Sequence, residues 1–211
     1  MNISLLPLIG SAANCYVLSS GKKAALVDIG EDCPNLRRFC ESTDLEIEYI
    51  LLTHGHFDHI GGVAAAKEYF PDAKICIGRA DGFMTQSAKD SLGSRFGFDH
   101  PTFKADVLLA DGDVITLGED QIRVMHTPGH TKGGVIYLAG SDALCGDTIF
   151  NMSIGRCDFP GSDIEEMKAS LKKIAALQPE TNLYPGHGPA TTVGNELKHN
   201  PYLREEIWYS L

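Results

Sequence analysis

The chain has 211 residues, of which 43% are hydrophobic and 22% are charged, as is typical of a globular protein rather than a disordered or fibrous one. This length fits one domain covering residues 1–211, with a core large enough to be stable without disulfides. The formal charge of -10 includes no run of Lys or Arg that could neutralise a row of phosphates, so the sequence disfavours a nucleic-acid partner.

Short apolar runs bounded by turn residues predict a series of strands. In chain order the predicted strands are Ile3–Leu8, Cys15–Leu18, Ala24–Val27, Tyr49–Leu52, Lys74–Ile77, Asp106–Leu109, Val114–Leu117, Gln121–Met125, Val135–Leu138, Ala143–Cys145 and Asn182–Tyr184. Helices are predicted at Pro34–Glu41, Gly61–Tyr69, Asp81–Lys89 and Ile164–Leu177. The last helix is expected to begin with a capping box formed by Ser162 and Glu165. This order predicts a four-layer α/β domain, in which two packed sheets carry helices on their outer faces.

The six cysteines are spread along the chain without a C-x-x-C pair, and several lie in apolar runs. They are expected to be buried free thiols in a reducing compartment. The N-terminal segment is apolar but lacks a basic region and contains Pro7, Gly10 and Asn14, so it does not fit a signal peptide. No apolar stretch reaches the ~20 residues of a membrane span. The sequence therefore predicts a cytoplasmic protein without a membrane partner.

A dense cluster of metal-binding side chains follows the fourth predicted strand. Within six positions, the segment His54–His59 carries three imidazoles and one carboxylate. His54 and His56 can point the same way from an extended chain, whereas the adjacent Asp58 and His59 reach the same place only if the loop folds. A small cation with nitrogen and oxygen ligands explains why these groups would converge. Two ions explain the pattern better than one, because further candidates elsewhere exceed the roughly four ligands of a tetrahedral zinc.

Three later turns supply the further candidates. Each turn is rich in Gly or Pro and follows a predicted strand, where the rim of a sheet would present it. The turns are Thr127–His130, Cys145–Asp147 and Tyr184–Gly188, and their candidate ligands are His130, Asp147 and His187. Each turn is a weak signal alone, but together with the first cluster they indicate a metal site assembled from most of the chain.

With these motifs the sequence resembles the metallo-β-lactamase superfamily, and within it the glyoxalase II-like hydroxyacylglutathione hydrolases. The resemblance runs through Asn14–Tyr16, Val27–Asp28, Thr53–His59, His126–Thr131, Gly146–Phe150, Ser153–Gly161 and Tyr184–Thr192. It implies a four-layer αβ/βα sandwich of two mixed β-sheets, with the site on the rim between them.

The resemblance also implies two divalent ions, zinc in the first place, with iron or manganese as alternatives. One ion would be bound by His54, His56 and His130. The second ion would be bound by Asp58, His59 and His187. Asp147 would bridge the two ions, and Asp28 would accept a hydrogen bond that orients the His54–His59 loop.

The implied reaction is hydrolysis of a hydroxyacyl thioester by a hydroxide that bridges the ions, with Asp58 both binding metal and orienting the hydroxide. A thiolate leaves with a pKa of about 8.5 and needs little protonation, which suits such a site. Asp147 disfavours β-lactam hydrolysis, because β-lactamases of this fold generally lack a bridging carboxylate there. Only 24 residues follow His187, fewer than the helical extension of glyoxalase II proper, so the thiol carrier stays open. Arg156 and Lys132 are candidates to bind an acidic group of the substrate.

Two other hypotheses about the function remain open, and a third is disfavoured. One is a persulfide dioxygenase with a single iron bound by two His and one Asp. Another is a lactone or phosphodiester hydrolase using the same metal pair. A binding module that has lost its chemistry is disfavoured, because no candidate ligand is missing. Outside the cluster, His126 is expected to be structural, His100 and His199 to be solvated, and Cys157 has no assigned role.

Overall fold

The computed structural model describes residues 1–8, 10 and 13–203. The first half of the chain forms strands β1 (Asn2–Leu6), β2 (Cys15–Ser20), β3 (Lys23–Val27), β4 (Glu46–Leu52), β5 (Lys74–Gly78) and β6 (Val107–Leu109), and helices α1 (Pro34–Ser42), α2 (Phe57–Ile60), α3 (Val63–Tyr69) and α4 (Gly93–Phe96). The second half forms strands β7 (Val114–Leu117), β8 (Asp120–His126), β9 (Val135–Ala139), β10 (Asp142–Gly146), β11 (Ile149–Phe150), β12 (Ser153–Ile154), β13 (Asn182–Pro185) and β14 (Thr191–Thr192), and helices α5 (Ile164–Ala175) and α6 (Val193–His199). Residues 204–211 of the predicted domain lie outside the described part.

Two six-stranded sheets make up the centre of the fold. The first has the strand order β1-β2-β3-β4-β5-β6 and the second has the order β14-β13-β10-β9-β8-β7. The first sheet is antiparallel from β1 to β3 and parallel from β3 to β6. In the second sheet β10 and β13 are parallel, and the other neighbours are antiparallel. Both sheets are therefore mixed, as predicted.

The side chains of the central strands alternate between two different cores. On β4, Ile50 and Leu52 pack against α1 and α3, whereas Leu51 between them faces the second sheet. On β9, Tyr137 faces the first sheet, whereas Ile136 packs against α5. Strands covered on both faces are apolar along their length, which is why they appear in the sequence as continuous apolar runs. The layers are thus helix, sheet, sheet and helix, which confirms the predicted four-layer sandwich.

The predicted helix Asp81–Lys89 is wrong. Two short 3-10 turns, Arg79–Asp81 and Met84–Gln86, stand in its place. The physical reason is that the carboxylate of Asp81 is buried and accepts hydrogen bonds from Thr131 and Gly133, which belong to the loop before β9. This tertiary contact overrides the local preference for a helix.

Several element boundaries also differ from the prediction. α5 begins at Ile164 as expected, but its N-cap is Asp163, whose side chain accepts from the backbone N–H groups of Glu165 and Glu166. Ser162 instead donates to the carbonyl of Phe159 at 2.6 Å, so the predicted capping box is wrong by one position. The short elements α2, α4, α6, β11, β12 and β14 were not predicted, because too few residues carry their periodicity.

The described helices include none with the length and apolarity needed to cross a bilayer. All six cysteines are free thiols, and five are buried while Cys157 is partly exposed. The expectation of free thiols is confirmed.

Hydrogen bonds of Glu196 on α6 connect the hairpin β11–β12 to the second sheet. Its carboxylate is fully buried and accepts from the Met152 backbone N–H at 2.8 Å and from the Thr191 hydroxyl at 2.6 Å. It also accepts from the Asn200 amide at 2.8 Å, and that amide donates to the Ser153 carbonyl at 3.0 Å. Because the turn at Met152 and the start of β12 at Ser153 both depend on these bonds, Glu196 helps to hold the hairpin in place.

We expect Glu196→Ala to lower the free energy of unfolding by about 1–3 kcal/mol, because its buried donors lose their acceptor. Glu180→Ala is the matched control, since Glu180 is exposed and its loss should change stability by less than about 0.5 kcal/mol. Urea unfolding followed by circular dichroism measures both. Equal midpoints for the two variants would contradict this role of Glu196.

Candidate metal centre

The predicted site residues lie together at one rim of the sandwich. Asp28 follows β3 and His54 follows β4, two parallel neighbours in the first sheet. His130, Asp147 and His187 follow β8, β10 and β13, which run in one direction in the second sheet. Carboxyl ends of strands that share a direction meet at the same edge, so residues far apart in sequence converge there.

The ligand atoms of all seven predicted metal-binding side chains form three overlapping groups, each within 4.8 Å. The groups are His54 with His56 and His130, His54 with His59 and Asp147, and Asp58 with His59 and His187. The first and third groups are those that the family resemblance assigns to two separate ions. Metal binding by them stays a prediction, but the structure brings every predicted ligand to one place.

Asp147 lies between the two outer groups. Its Oδ1 is 3.3 Å from His59 Nε2, and its Oδ2 is 3.5 Å from His130 Nε2 and 3.3 Å from His187 Nε2. Asp58 lies on the side of His187, with its Oδ2 3.4 Å from His187 Nε2. The carboxylate of Asp147 is thus placed to contact cations on either side of it.

Hydrogen bonds on the outer side of the rings determine which nitrogen faces the cluster. His59 Nδ1 donates to Asp28 Oδ2 at 2.8 Å, and His130 Nδ1 donates to the Arg156 carbonyl at 2.8 Å. Thr53 donates its hydroxyl proton to Asp28 at 2.7 Å, so the same hydroxyl accepts from His54 Nδ1 at 3.1 Å. The Nε2 atoms of these three histidines therefore face the cluster, as in metal sites whose ligands are held by a second hydrogen bond.

Two unsatisfied buried atoms test whether the cluster fits a cation. Within the described part of the chain, His54 Nε2 and Asp147 Oδ1 are buried without a hydrogen-bond partner. His56 Nδ1 also lies only 2.9 Å from His130 Nε2, a close approach of two ring nitrogens. Buried polar groups without partners are rare because each costs about 1–3 kcal/mol. Nitrogen and carboxylate donors in this arrangement fit a divalent metal such as zinc or iron.

The electrostatics of the cluster divide the histidines into two kinds. Burial lowers the pKa of His54 well below its usual range, and burial together with His130 lowers the pKa of His56 to about 3. Burial opposes the charged form of His187 as well, but hydrogen bonds to Asp147 and Asp58 raise its pKa to about 10. The rings of His54 and His56 are thus neutral, whereas the carboxylates of Asp58 and Asp147 favour a positive charge on His187.

An open cavity of about 410 Å³ lies against the cluster. Five of the seven predicted ligands line it, and so does Arg156. Arg156 pairs with Asp158 through two contacts of 2.6 Å, whereas Lys132 pairs with Glu166 at 3.1 Å and does not line the cavity. The structure therefore brings Arg156, but not Lys132, to the site.

A sequence profile of the metallo-β-lactamase superfamily matches residues 8–187, which is most of the chain. The chain belongs to the metallo-β-lactamase superfamily. It is a hydrolase of that superfamily, and its His and Asp cluster could hold a metal ion.

Three proteins are similar to this chain over almost its whole length. The hydroxyacylglutathione hydrolase GloC of Haemophilus influenzae is 32% identical over 98% of this chain and 100% of its own length. The BLEG-1 B3 metallo-β-lactamase superposes with a TM-score of 0.89 at 35% identity, covering 96% of this chain and 99% of that protein. TTHA1623, solved in a di-iron-bound form, superposes with a TM-score of 0.85 at 34% identity. The match covers 95% of this chain and 100% of that protein.

Asp81 is the residue of the site that sequence reasoning missed. Its carboxylate accepts from the Gly55 N–H at 3.2 Å, from the Thr131 hydroxyl at 2.7 Å and from the Gly133 N–H at 2.6 Å. Burial raises its pKa above the usual range. Asp81 thereby joins the loop that carries His54 and His56 to the loop that carries His130. Its position soon after β5, at the rim where β3 and β4 also end, was the signal available in the sequence.

The remaining histidines lie outside the cluster. His126 is held by the Lys132 carbonyl at 2.9 Å, and His199 is exposed, as predicted. The prediction for His100 is wrong, because its ring is buried and its Nε2 lies 2.7 Å from the Ser91 hydroxyl. That bond holds the segment before β6, in which Phe96 lines the cavity.

We expect Asp28→Asn to weaken zinc binding about 10–100-fold, because an amide cannot accept all of the bonds that the carboxylate accepts from Thr53 and His59. Asp44→Asn is the control, since Asp44 is exposed on the loop before β4. Competition with a chromophoric chelator measures the affinity. Wild-type affinity in Asp28→Asn would show that this carboxylate does not orient the ligands.

Proposed function

We propose that the protein is a thioester hydrolase of the glyoxalase II type with two divalent metal ions. The observation that carries the proposal is the position of Asp147, with its carboxylate within 3.5 Å of ligand nitrogens on both sides. Seven donors also exceed the roughly four protein ligands that one tetrahedral zinc accepts. The di-iron form of TTHA1623 supports a pair of ions. It also makes iron, as well as zinc, a candidate for the metal.

When bound, divalent ions at this site supply a nucleophile from water near neutral pH and polarise a carbonyl oxygen. Asp58 is placed to orient that water through Oδ2, because it is partly exposed and lines the cavity. Water loses a proton to solvent as it adds to the carbonyl carbon, the C–S bond breaks, and the products are a carboxylic acid and a thiolate. No acid is needed for the leaving group, since a thiol has a pKa of about 8.5. The rings of His54 and His59 are buried and do not line the cavity, so their ligand atoms are shielded from bulk water.

The name of the Haemophilus influenzae relative supports thioester hydrolysis, since a hydroxyacylglutathione is a thioester. The name of BLEG-1 makes β-lactam hydrolysis the second candidate. Asp147 favours the first, as the sequence resemblance implies. A persulfide dioxygenase with one iron would leave several of the seven donors unused, and lactones and phosphodiesters remain to be compared as substrates.

The test is a substrate panel with the metal-loaded protein, covering S-lactoylglutathione, a β-lactam, a lactone, a phosphodiester and a persulfide with oxygen uptake recorded. We expect the thioester to have the highest kcat/KM. Fastest turnover of any other class, or oxygen uptake with a persulfide, would contradict the proposal.

His56→Ala and Asp147→Ala should each abolish turnover while the far-ultraviolet circular dichroism stays unchanged, because each removes a metal ligand. His199→Ala is the control and should keep wild-type activity, since His199 is exposed on α6. Full thioesterase activity in either ligand variant would refute the assignment of the site.

A further inference from the structure

The cavity beside the metal centre is walled mainly by apolar side chains. The apolar residues that line it are Phe57, Leu92, Phe96, Phe150, Ile154 and Phe159. Its volume of about 410 Å³ lies in the range of small-molecule sites. An acyl group bound there would thus be in contact with hydrocarbon on several sides and with the metal ligands on another.

Three of these residues form a connected aromatic wall, defined here as Phe57, Phe96 and Phe159. Phe57 stacks on Phe96 at 5.5 Å between ring centroids, and Phe96 meets the ring of Phe159 edge-on at 6.1 Å. Phe159 in turn lies edge-on to His56 at 5.6 Å. The wall therefore extends from the metal ligands outward, and its outer member Phe96 is 47% exposed.

Hydrogen bonds and the local backbone conformation hold the aromatic wall in position. The Phe57 N–H donates to the Ser91 carbonyl at 2.9 Å, and the Ser91 hydroxyl lies 2.7 Å from His100 Nε2. Leu92, the N-cap of α4, has a φ of 68°, which is strained for a leucine. This conformation places α4, and with it Phe96, beside the cavity. Strained backbone of this kind occurs at ligand-binding sites, where the surrounding contacts maintain it.

Among the described residues, the one arginine that lines the cavity is already engaged by other side chains. The guanidinium of Arg156 is paired with Asp158 and stacked over Phe159 at 4.0 Å. Arg95 lies 5.7 Å over the same ring but does not line the cavity. Away from the metal ligands, the inside of the cavity thus offers mainly apolar surface, and Arg95 provides a cation for a polar carrier outside it.

We propose that the cavity selects thioesters whose acyl group is apolar, and best of all aromatic, with the polar thiol carrier remaining outside. This inference rests on the proposed thioester chemistry. Burying a phenyl group against Phe57, Phe96 and Phe159 removes apolar surface from water and allows ring-to-ring contacts. A short hydroxyacyl group such as lactoyl gains little of either.

The first experiment compares S-phenylacetylglutathione with S-lactoylglutathione, which share a carrier and differ in the acyl group. We expect kcat/KM to be about ten-fold higher for the phenylacetyl thioester, from the burial of its ring. Phe96→Ala should reduce this preference to about two-fold or less, and Phe96→Leu should retain part of it. Phe83→Ala is the control and should keep the full preference, since Phe83 is 56% exposed and does not line the cavity.

Equal or faster hydrolysis of the lactoyl thioester would overturn the inference and leave the proposed thioesterase function standing. An unchanged preference in Phe96→Ala would overturn it as well. If no thioester is hydrolysed, the proposed function is wrong. A binding measurement then tests separately whether the cavity prefers apolar groups.

That measurement is calorimetry of the metal-loaded protein with two thioethers that cannot be hydrolysed, S-(2-phenylethyl)glutathione and S-(2-hydroxypropyl)glutathione. We expect the phenylethyl compound to bind about ten-fold more tightly, with the difference reduced in Phe96→Ala. Equal affinities would overturn the selectivity for apolar groups.

Discussion

The structure depends on one constraint, which is that seven metal-binding side chains are held facing one another at a buried rim. Three imidazoles present Nε2 atoms to the same space, and His54 Nε2 and Asp147 Oδ1 lie there without hydrogen-bond partners in the described residues. Such an arrangement is unfavourable by itself, because buried polar atoms lose their water without gaining another partner. Divalent cations at the centre would satisfy these atoms, and this relation connects the fold with the chemistry.

The rest of the molecule supports that arrangement at several levels. The two mixed sheets direct the carboxyl ends of β3, β4, β8, β10 and β13 to one rim, so each ligand needs only a short turn to reach the centre. Two buried carboxylates then connect the turns to each other. Asp28 fixes Thr53 and His59, and Asp81 joins Gly55 to the loop before β9. Positions held by packed strands and buried hydrogen bonds are more precise than positions on free loops.

The sequence was sufficient to predict the fold and the convergence of the candidate ligands, because local patterns and the family resemblance both indicate them. Apolar runs of strand length mark the buried strands, and the donor types at His54–His59 are rare outside metal sites. Asp81 was missed because its three partners lie 26 to 52 residues away, and only the folded chain brings them together. His100 was misjudged because only the fold of its own loop buries the ring and brings its Nε2 to the hydroxyl of Ser91. Asp163 and Ser162 are both good N-cap residues, so the sequence alone could not choose between them.

The most direct measurement of the central claim is the anomalous diffraction of a crystal of the metal-loaded protein, recorded above the absorption edges of zinc and iron. Two peaks are predicted, one beside His54, His56 and His130 and the other beside Asp58, His59 and His187, with the carboxylate of Asp147 between them. A single peak, or Asp147 turned away from either metal position, would contradict the account.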